Sequence, residues 1–214
     1  MFRTRASAFQ QENCATESDH ICRLGFVEYS SIAANRNDRH IPLMSDATLA
    51  TDIHAIATLE GQFRLRSGRT SSVYFDKYRF EAQPGLLRRV ASEIVSRLPP
   101  DVEVLAGLEL GGVPIATAVS LQTGIPTAFV RKKAKDYGTC RAVEGADVSG
   151  RRVVLIEDVI TTGGAVTDAA RLVAEAGGII VGVVCAIWRG EGLPRIEGTP
   201  TLKVSAALEW SLSG

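Results

Sequence analysis

From Pro84 onward the chain alternates short apolar runs with segments of helical periodicity, and this alternation constrains the fold more than any other feature. The predicted helices are GLLRRVASEIVSRL, VPIATAVSLQT and AVTDAARLVAEAG. The predicted strands are VEVLAG, PTAFV, RRVVLIED and IIVGVVCAI. Strands and helices in such alternation form a parallel sheet covered on both faces. The pattern therefore predicts an α/β fold that binds ligands at the carboxyl ends of its strands.

The sequence before Pro84 predicts a helix and a β-hairpin. Helical spacing begins in DATLATDIHAIATLE, directly after the cap-forming residue Ser45. QFRL and SVYFD have strand character, and the turn-rich segment RSGRTS joins them. We expect one domain over residues 44–214, with this N-terminal part at about 50–80 and a core at about 84–214.

Residues 1–43 have a different character, because Ser, Asn, Gln, Arg, Cys and His occur there without a sustained period. We expect a disordered extension or a start codon assigned too far upstream. An organelle transit peptide is the alternative, but Glu12, Glu17 and Asp19 interrupt the acid-poor composition that such peptides have.

The composition argues against several classes of function. The 24 basic and 24 acidic side chains cancel, so no global positive field draws the chain to nucleic acid or anionic membrane. The four cysteines form no C-x-x-C pair and the three histidines all precede the predicted core, so neither zinc nor disulfides are indicated. No apolar run approaches the roughly 18 to 20 residues that span a bilayer. We expect a soluble cytoplasmic protein without nucleic-acid or membrane partners.

The segment VVLIEDVITTGGAV, residues 153–166, carries the strongest chemical signal. Apolar residues build a strand, and Glu157 and Asp158 are expected at its carboxyl end. A Thr/Gly turn then leads into a helix whose free N–H groups and dipole favour phosphate. Carboxylates beside a phosphate site fit a phosphorylated sugar, since they accept hydrogen bonds from its hydroxyls. The turn residues are Thr161, Thr162, Gly163 and Gly164.

An ordinary strand-to-helix turn is the alternative interpretation of this segment, because Thr and Gly are common there and acids favour helix N-termini. Neither G-x-x-x-x-G-K-[ST] nor G-x-G-x-x-G occurs in the chain, which argues against the common nucleoside-triphosphate and dinucleotide sites.

The same segment resembles the loop of type I phosphoribosyltransferases that binds phosphoribosyl pyrophosphate (PRPP). The resemblance implies that Glu157 and Asp158 hold the ribose 2′ and 3′ hydroxyls, while Thr161 to Gly164 hold the 5′-phosphate. Three other segments are similar to the orotate branch of that family. They are FRLRSGRTSSVYFD (63–76), similar to its N-terminal hood hairpin, RKKAKDYG (131–138), similar to its mobile catalytic loop, and AIWRGEG (186–192), similar to its orotate-contacting strand end.

This resemblance covers the chain from about residue 50 to the C-terminus. It implies the type I phosphoribosyltransferase fold, a central parallel sheet flanked by helices with a small N-terminal hood. It also implies a glycosyltransferase that makes orotidine 5′-monophosphate for pyrimidine (UMP) biosynthesis. Mg would be carried by PRPP, and the enzyme would be a homodimer with shared active sites.

Four cations follow the predicted strand PTAFV, at Arg131, Lys132, Lys133 and Lys135. A run of charge is usually a solvated surface. Cations that close over pyrophosphate would instead stabilise charge that grows in the transition state. By resemblance Arg131, Lys132 and Lys135 are catalytic together with Asp158, and they bind PRPP together with Tyr137. Lys133 and Tyr137 depart from the family, which more often has an acid and a histidine there.

Glycines and aromatic residues supply the remaining candidates. GLELGGVPIA (107–116) resembles the family's pyrophosphate loop, with Gly111 where some members carry lysine; a helix start with packing glycines is the alternative. A guanidinium and an aromatic face suit the planar, carboxylated orotate. By resemblance, the residues expected to bind orotate are Arg66, Phe75, Thr161 and Arg189. Arg66 and Trp188 depart from the family's usual lysine and acid, and surface or core filling is the alternative for both.

Two other functions remain open from the sequence. The PRPP loop is shared across the superfamily, so the enzyme could act on a base other than orotate. A PRPP-responsive transcription regulator is a further possibility, against which the neutral charge and the loop cations count.

Overall fold

The computed structural model describes residues 48–65, 68–133, 141–196, 202 and 204–209. Within these residues there are five helices and eight strands. The helices are α1 (Leu49–Ala57), α2 (Lys77–Glu81), α3 (Pro84–Val95), α4 (Gly112–Thr123) and α5 (Gly164–Glu175). The strands are β1 (Thr58–Arg64), β2 (Thr70–Phe75), β3 (Val104–Leu108), β4 (Thr127–Val130), β5 (Val143–Gly145), β6 (Arg152–Ile160), β7 (Ile179–Trp188) and β8 (Val204–Glu209). All described residues except Arg141 belong to one compact unit.

Six strands form the central sheet in the order β5-β4-β3-β6-β7-β8. Five neighbouring strands run parallel to one another, in the order β4, β3, β6, β7 and β8. This arrangement confirms the predicted α/β architecture. The edge strand β5 pairs with β4 in the antiparallel direction. The sequence predicted no strand over Val143–Gly145, yet these residues pair with Ala128 to Val130. Strand β8, which the sequence also did not predict, pairs with β7 and forms the other edge of the sheet.

Helices cover both faces of this sheet, and successive strand residues point to opposite faces. Leu105, Val154 and Ile156 pack in one core with residues of α1, α2, α3 and α4. Their chain neighbours Val153 and Leu155 pack in a second core with residues of α5. Truncation of a fully buried residue such as Ile156 to Ala should cost roughly 2–5 kcal/mol of folding free energy. Among the described helices, none has the length and apolarity required to cross a bilayer.

Strands β1 and β2 form a separate antiparallel hairpin, as the sequence predicted. The ring of Phe63 stacks on that of Tyr74 across the hairpin, with 5.4 Å between centroids. The predicted first helix was wrong at its end, because α1 stops at Ala57 and Thr58 already pairs with Phe75. Cross-strand pairing has outweighed the helical pattern there.

Candidate active site

The strand order reverses at β3, because the chain adds β4 on one side of that strand and β6 on the other. Ligands of open α/β sheets bind in the crevice at such a switch point. Two glycines bring helix α4 close to this crevice. A Cβ atom at Gly107 would lie 2.8 Å from the carbonyl oxygen of Gly112, and one at Gly112 would overlap the carbonyl oxygen of Ile156. These two glycines therefore serve helix packing, which agrees with the alternative interpretation of this segment.

Glu157 and Asp158 lie in strand β6, close to the switch point. They lie near its carboxyl end, as the sequence predicted, although β6 continues for two more residues to Ile160 through its pairing with β7. Both side chains are buried, and Asp158 is 0% exposed. Asp158 Oδ1 accepts a hydrogen bond from the Val159 N–H at 2.5 Å, and Glu157 Oε1 accepts one from the Asp158 N–H at 3.0 Å. Backbone N–H groups therefore hold the two carboxyl groups in a fixed arrangement near the carboxyl end of this interior strand.

Helix α2 adds two charged residues, Lys77 and Glu81, beside these two acids. Sequence reasoning did not identify either of them. Lys77 Nζ lies 2.6 Å from Asp158 Oδ2. The carboxyl of Glu81 is also buried, and Asp158 lies close enough to raise its pKa. Three buried carboxyl groups thus share one lysine in the described structure.

The pKa values of these carboxyls move apart. Burial raises the pKa of Glu157 to about 9 and that of Glu81 to about 8, and Asp158 reinforces both shifts. Burial would also raise the pKa of Asp158, but hydrogen bonds from Glu157 and Lys77 lower it below its ordinary value. Burial opposes the charge of Lys77, yet contact with Asp158 raises its pKa. At neutral pH the stable arrangement is an ionised Asp158 paired with Lys77, with neutral Glu81 and Glu157 beside it.

The turn after β6 exposes the backbone at the start of α5. Gly163 adopts the left-handed region at φ +80°, and a Cβ there would lie 3.0 Å from Ile196. The N-cap residue of α5 is Gly163, which has no side chain, so the first N–H groups of the helix receive no cap from that residue. Thr161, Thr162 and Gly164 are exposed around it. An uncapped helix start with exposed hydroxyls can bind a phosphate group.

Arg189 lies next to this turn, because its N–H donates to the carbonyl of Ile160 at 2.8 Å. Its guanidinium lies over the ring of Phe75 at the end of β2. Trp188 is buried, and its indole N–H donates to the carbonyl of Gly192 at 3.1 Å. Core filling is therefore the role that the structure gives Trp188. Phe75 and Arg189, two candidates for the base site, are in contact.

The described cations Arg131, Lys132 and Lys133 follow β4 at the same end of the sheet. The Arg131 N–H donates to the Ala142 carbonyl at 2.8 Å, and the Lys132 N–H donates to Glu109 Oε2 at 3.0 Å. Glu109 lies in the loop after β3, so this contact links the cation segment to that loop. The candidates Arg66, Lys135 and Tyr137 lie outside the described residues.

Neither a metal site nor a reactive thiol is found in the part of the chain that the structure describes. No group of three or more His, Cys, Asp and Glu side chains there could hold a metal ion. The described cysteine, Cys185, is buried in β7 opposite Glu157. Burial, with the two neighbouring acids, raises the pKa of its thiol to about 12, so the group stays protonated.

Comparison with known proteins agrees with this geometry. Residues 79–208 match the family model described as phosphoribosyl transferase domain. An orotate phosphoribosyltransferase from a Nocardioides species is 64% identical over 144 residues, which are 67% of this chain and 80% of the relative. The chain belongs to the orotate phosphoribosyltransferase family. Its type I fold is thereby confirmed.

Solved structures of this family have the same architecture. Orotate phosphoribosyltransferase from Mycobacterium tuberculosis, in complex with Fe(III) dicitrate, has a TM-score of 0.67 and 29% identity, covering 75% of this chain and 94% of that one. The same enzyme in complex with PRPP has a TM-score of 0.63 and 28% identity, covering 75% and 93%.

Proposed function

We propose that this chain transfers the 5-phosphoribosyl group of PRPP to orotate, giving orotidine 5′-monophosphate and pyrophosphate in pyrimidine nucleotide biosynthesis. The observation that carries this proposal is the arrangement at the end of β6. A buried acid pair precedes an uncapped helix start, and a contacting arginine and phenylalanine lie beside that turn. This combination suits a phosphorylated ribose next to a flat anionic base.

The phosphoribosyl group would bind along β6 and the turn after it. The N–H groups at the start of α5, together with Thr161, Thr162, Gly163 and Gly164, would hold the 5′-phosphate. Glu157 and Asp158 would accept hydrogen bonds from the ribose 2′ and 3′ hydroxyls. Because both carboxyls are already fixed by backbone N–H groups, they would orient the sugar with little further loss of side-chain freedom.

Orotate would bind between the hairpin and the end of β7. Arg189 offers two parallel N–H donors to its carboxylate, and Phe75 offers an aromatic face to its ring. Burial of the guanidinium lowers the pKa of Arg189 from its ordinary value. Thr161 and Arg66 are the further proposed contacts with the base.

The chemical step would be displacement at the anomeric carbon with inversion. The pyrimidine nitrogen forms the new bond while the bond to pyrophosphate breaks, so no protein nucleophile is needed. Arg131, Lys132 and Lys135 would neutralise the leaving group, and Tyr137 would add a PRPP contact. Mg²⁺, bound to the diphosphate of PRPP, would neutralise the same charge.

We further propose a cytoplasmic homodimer whose two active sites are shared. A long polar segment follows β4, and loops of this kind close over ligands and exclude water. A two-fold dimer in which each subunit's loop reaches the partner would create two equivalent composite sites.

A panel of bases tests the substrate assignment. Pyrophosphate release from PRPP and Mg²⁺ should be rapid with orotate and slow with uracil, adenine or hypoxanthine. Adenine or hypoxanthine turned over faster than orotate would overturn the assignment and favour a phosphoribosyltransferase for a purine base.

A further inference from the structure

A helix start and an ion pair together fix the position of Lys77 at the edge of the site. It is the first residue of α2, directly after Asp76, whose side chain caps that helix by accepting from the Tyr78 N–H at 3.2 Å. Its ammonium lies 2.6 Å from Asp158 Oδ2. The side chain of Lys77 is 34% exposed, whereas that of Asp158 is 0% exposed. The lysine therefore joins a fully buried carboxylate to the solvent-exposed surface.

The loop after β3 approaches the same carboxylate oxygen from another direction. A Cβ atom at Gly111 would overlap Asp158 Oδ2. Position 111 can therefore carry no side chain while Asp158 keeps this arrangement, and the loop offers only its backbone there. Lys77 is the cation that the described structure brings to this oxygen.

Charge explains why a cation is required at this point. Glu81, Glu157 and Asp158 are all buried around Lys77. On the proposed function, the acids bind the ribose hydroxyls, and the 2′ hydroxyl is attached next to the anomeric carbon that carries the diphosphate. A diphosphate bound there would be repelled by the ionised carboxylate unless a positive charge lay between them.

We propose that Lys77 binds the diphosphate of PRPP, exchanging its contact with Asp158 for one with the substrate. In the free protein the lysine neutralises Asp158 and fixes its orientation. When PRPP binds, the ribose hydroxyls donate hydrogen bonds to the Asp158 carboxylate in place of the ammonium. The ammonium of Lys77 then turns from Asp158 toward the diphosphate. This inference rests on the proposed function and adds a residue from the hairpin side of the site.

The test separates contact with the diphosphate from an effect that passes only through Asp158. Lys77→Met and Lys77→Arg are compared with wild type for binding of Mg²⁺-pyrophosphate and of orotidine 5′-monophosphate, which has the ribose and 5′-phosphate but no diphosphate. Arg171→Met on the exposed face of α5 is the control for loss of a positive charge, since Arg171 pairs only with Glu175 among the residues described.

Lys77→Met should weaken pyrophosphate binding about tenfold or more, as expected for loss of one charge-assisted contact, with less than a threefold change for the nucleotide. Lys77→Arg should restore most of the pyrophosphate affinity. Equal weakening of both ligands would mean that the lysine acts only by positioning Asp158, and unchanged pyrophosphate binding would also overturn the proposal.

Folding and function are checked separately. If Lys77→Met does not fold, as judged by its thermal transition, Lys77→Gln is measured instead, since its amide can still donate to Asp158 but has no charge. The binding of pyrophosphate and of the nucleotide is then compared in the same way, and the same results would overturn the proposal. Wild-type protein that binds neither ligand would contradict the proposed function itself, whereas normal wild-type binding with an unaffected variant would contradict only the role of Lys77.

Discussion

The guanidinium of Arg189 lies 5.5 Å from the centroid of the Phe75 ring. The two residues come from different parts of the fold, Phe75 from the end of the hairpin and Arg189 from the residue after β7. Contact of a cation with an aromatic face is favourable by about 0.5–1 kcal/mol at a partly exposed position. The pair therefore joins the hairpin to the central sheet where the base is proposed to bind.

Replacement of Arg189 should affect orotate more than PRPP. Arg189→Met should raise the KM for orotate tenfold or more and leave the KM for PRPP within threefold, because on the proposed function the lost fork would contact only the base carboxylate. Arg189→Lys should recover little of this, since a lysine cannot make two parallel hydrogen bonds. Steady-state kinetics with each substrate varied gives the answer. Equal increases in both KM values would place Arg189 outside the base site.

Alanine at Gly111 should strongly reduce activity. The added methyl group would overlap the Asp158 carboxylate and force that side chain from its place. We expect kcat/KM to fall at least a hundredfold. Gly85→Ala is the matched control, because a Cβ at this exposed position in α3 meets nothing within 4 Å. Its activity should be normal and its stability unchanged or slightly higher, as alanine favours helices. Normal activity of Gly111→Ala would contradict the close approach.

The pH dependence of stability should change when Glu81 is replaced by Gln. Burial and Asp158 raise the pKa of Glu81 from 4.5 to about 8, with a smaller contribution from Asp76 and an opposing one from Lys77. Between these values the folded state binds the proton that the unfolded state has lost, so the free energy of unfolding falls as pH rises. Gln is neutral throughout this range, so the variant does not lose folding free energy in this way as pH rises.

The Tm of Glu81→Gln, relative to wild type, should therefore increase from pH 5 to pH 8 and then level off. Differential scanning calorimetry in matched buffers measures this difference. Glu175→Gln on the exposed face of α5 is the surface control for removal of one carboxylate. A Tm difference that stays constant or decreases with pH would mean that Glu81 is already ionised in the folded protein.

The sequence predicted those parts of the site that are contiguous in the chain. The acids of β6 and the turn into α5 form one run from Glu157 to Gly164, so their chemistry is visible without a fold. Lys77 and Glu81 were missed because their importance depends on α2 lying against Asp158, which no local pattern encodes. The predicted hairpin segment SVYFD ended one residue before Lys77.

Errors in the predicted fold have a similar cause. Thr58 to Glu60 continue a helical pattern, yet they pair with β2, and that long-range contact decides their conformation. The edge strand β5 is only three residues long and has no strong apolar alternation, so only its partner β4 reveals it.

A protein that begins at Met44 should fold and retain activity. Helix α1 starts at Leu49, and Leu49, Ile53 and Ala57 are fully buried in the core, so this truncation keeps every described element. The Tm and kcat/KM should both stay close to those of the full chain. An insoluble or inactive truncation would mean that residues 1–43 belong to the functional domain.

Complementation tests whether the loop of one subunit serves the other. Lys135→Ala and Asp158→Ala should each be inactive, because on the proposed function one would lack a leaving-group cation and the other a ribose contact. In a mixed dimer with loops acting in trans, one site carries both defects and the other carries neither. Mixing under conditions that exchange subunits should therefore restore up to half of the wild-type activity per mixed dimer, measured as pyrophosphate release. A mass-tagged subunit confirms that exchange took place. If exchange is complete and no activity returns, either the loop closes over its own subunit or both sites must be intact for turnover, and the shared site is rejected in the form proposed.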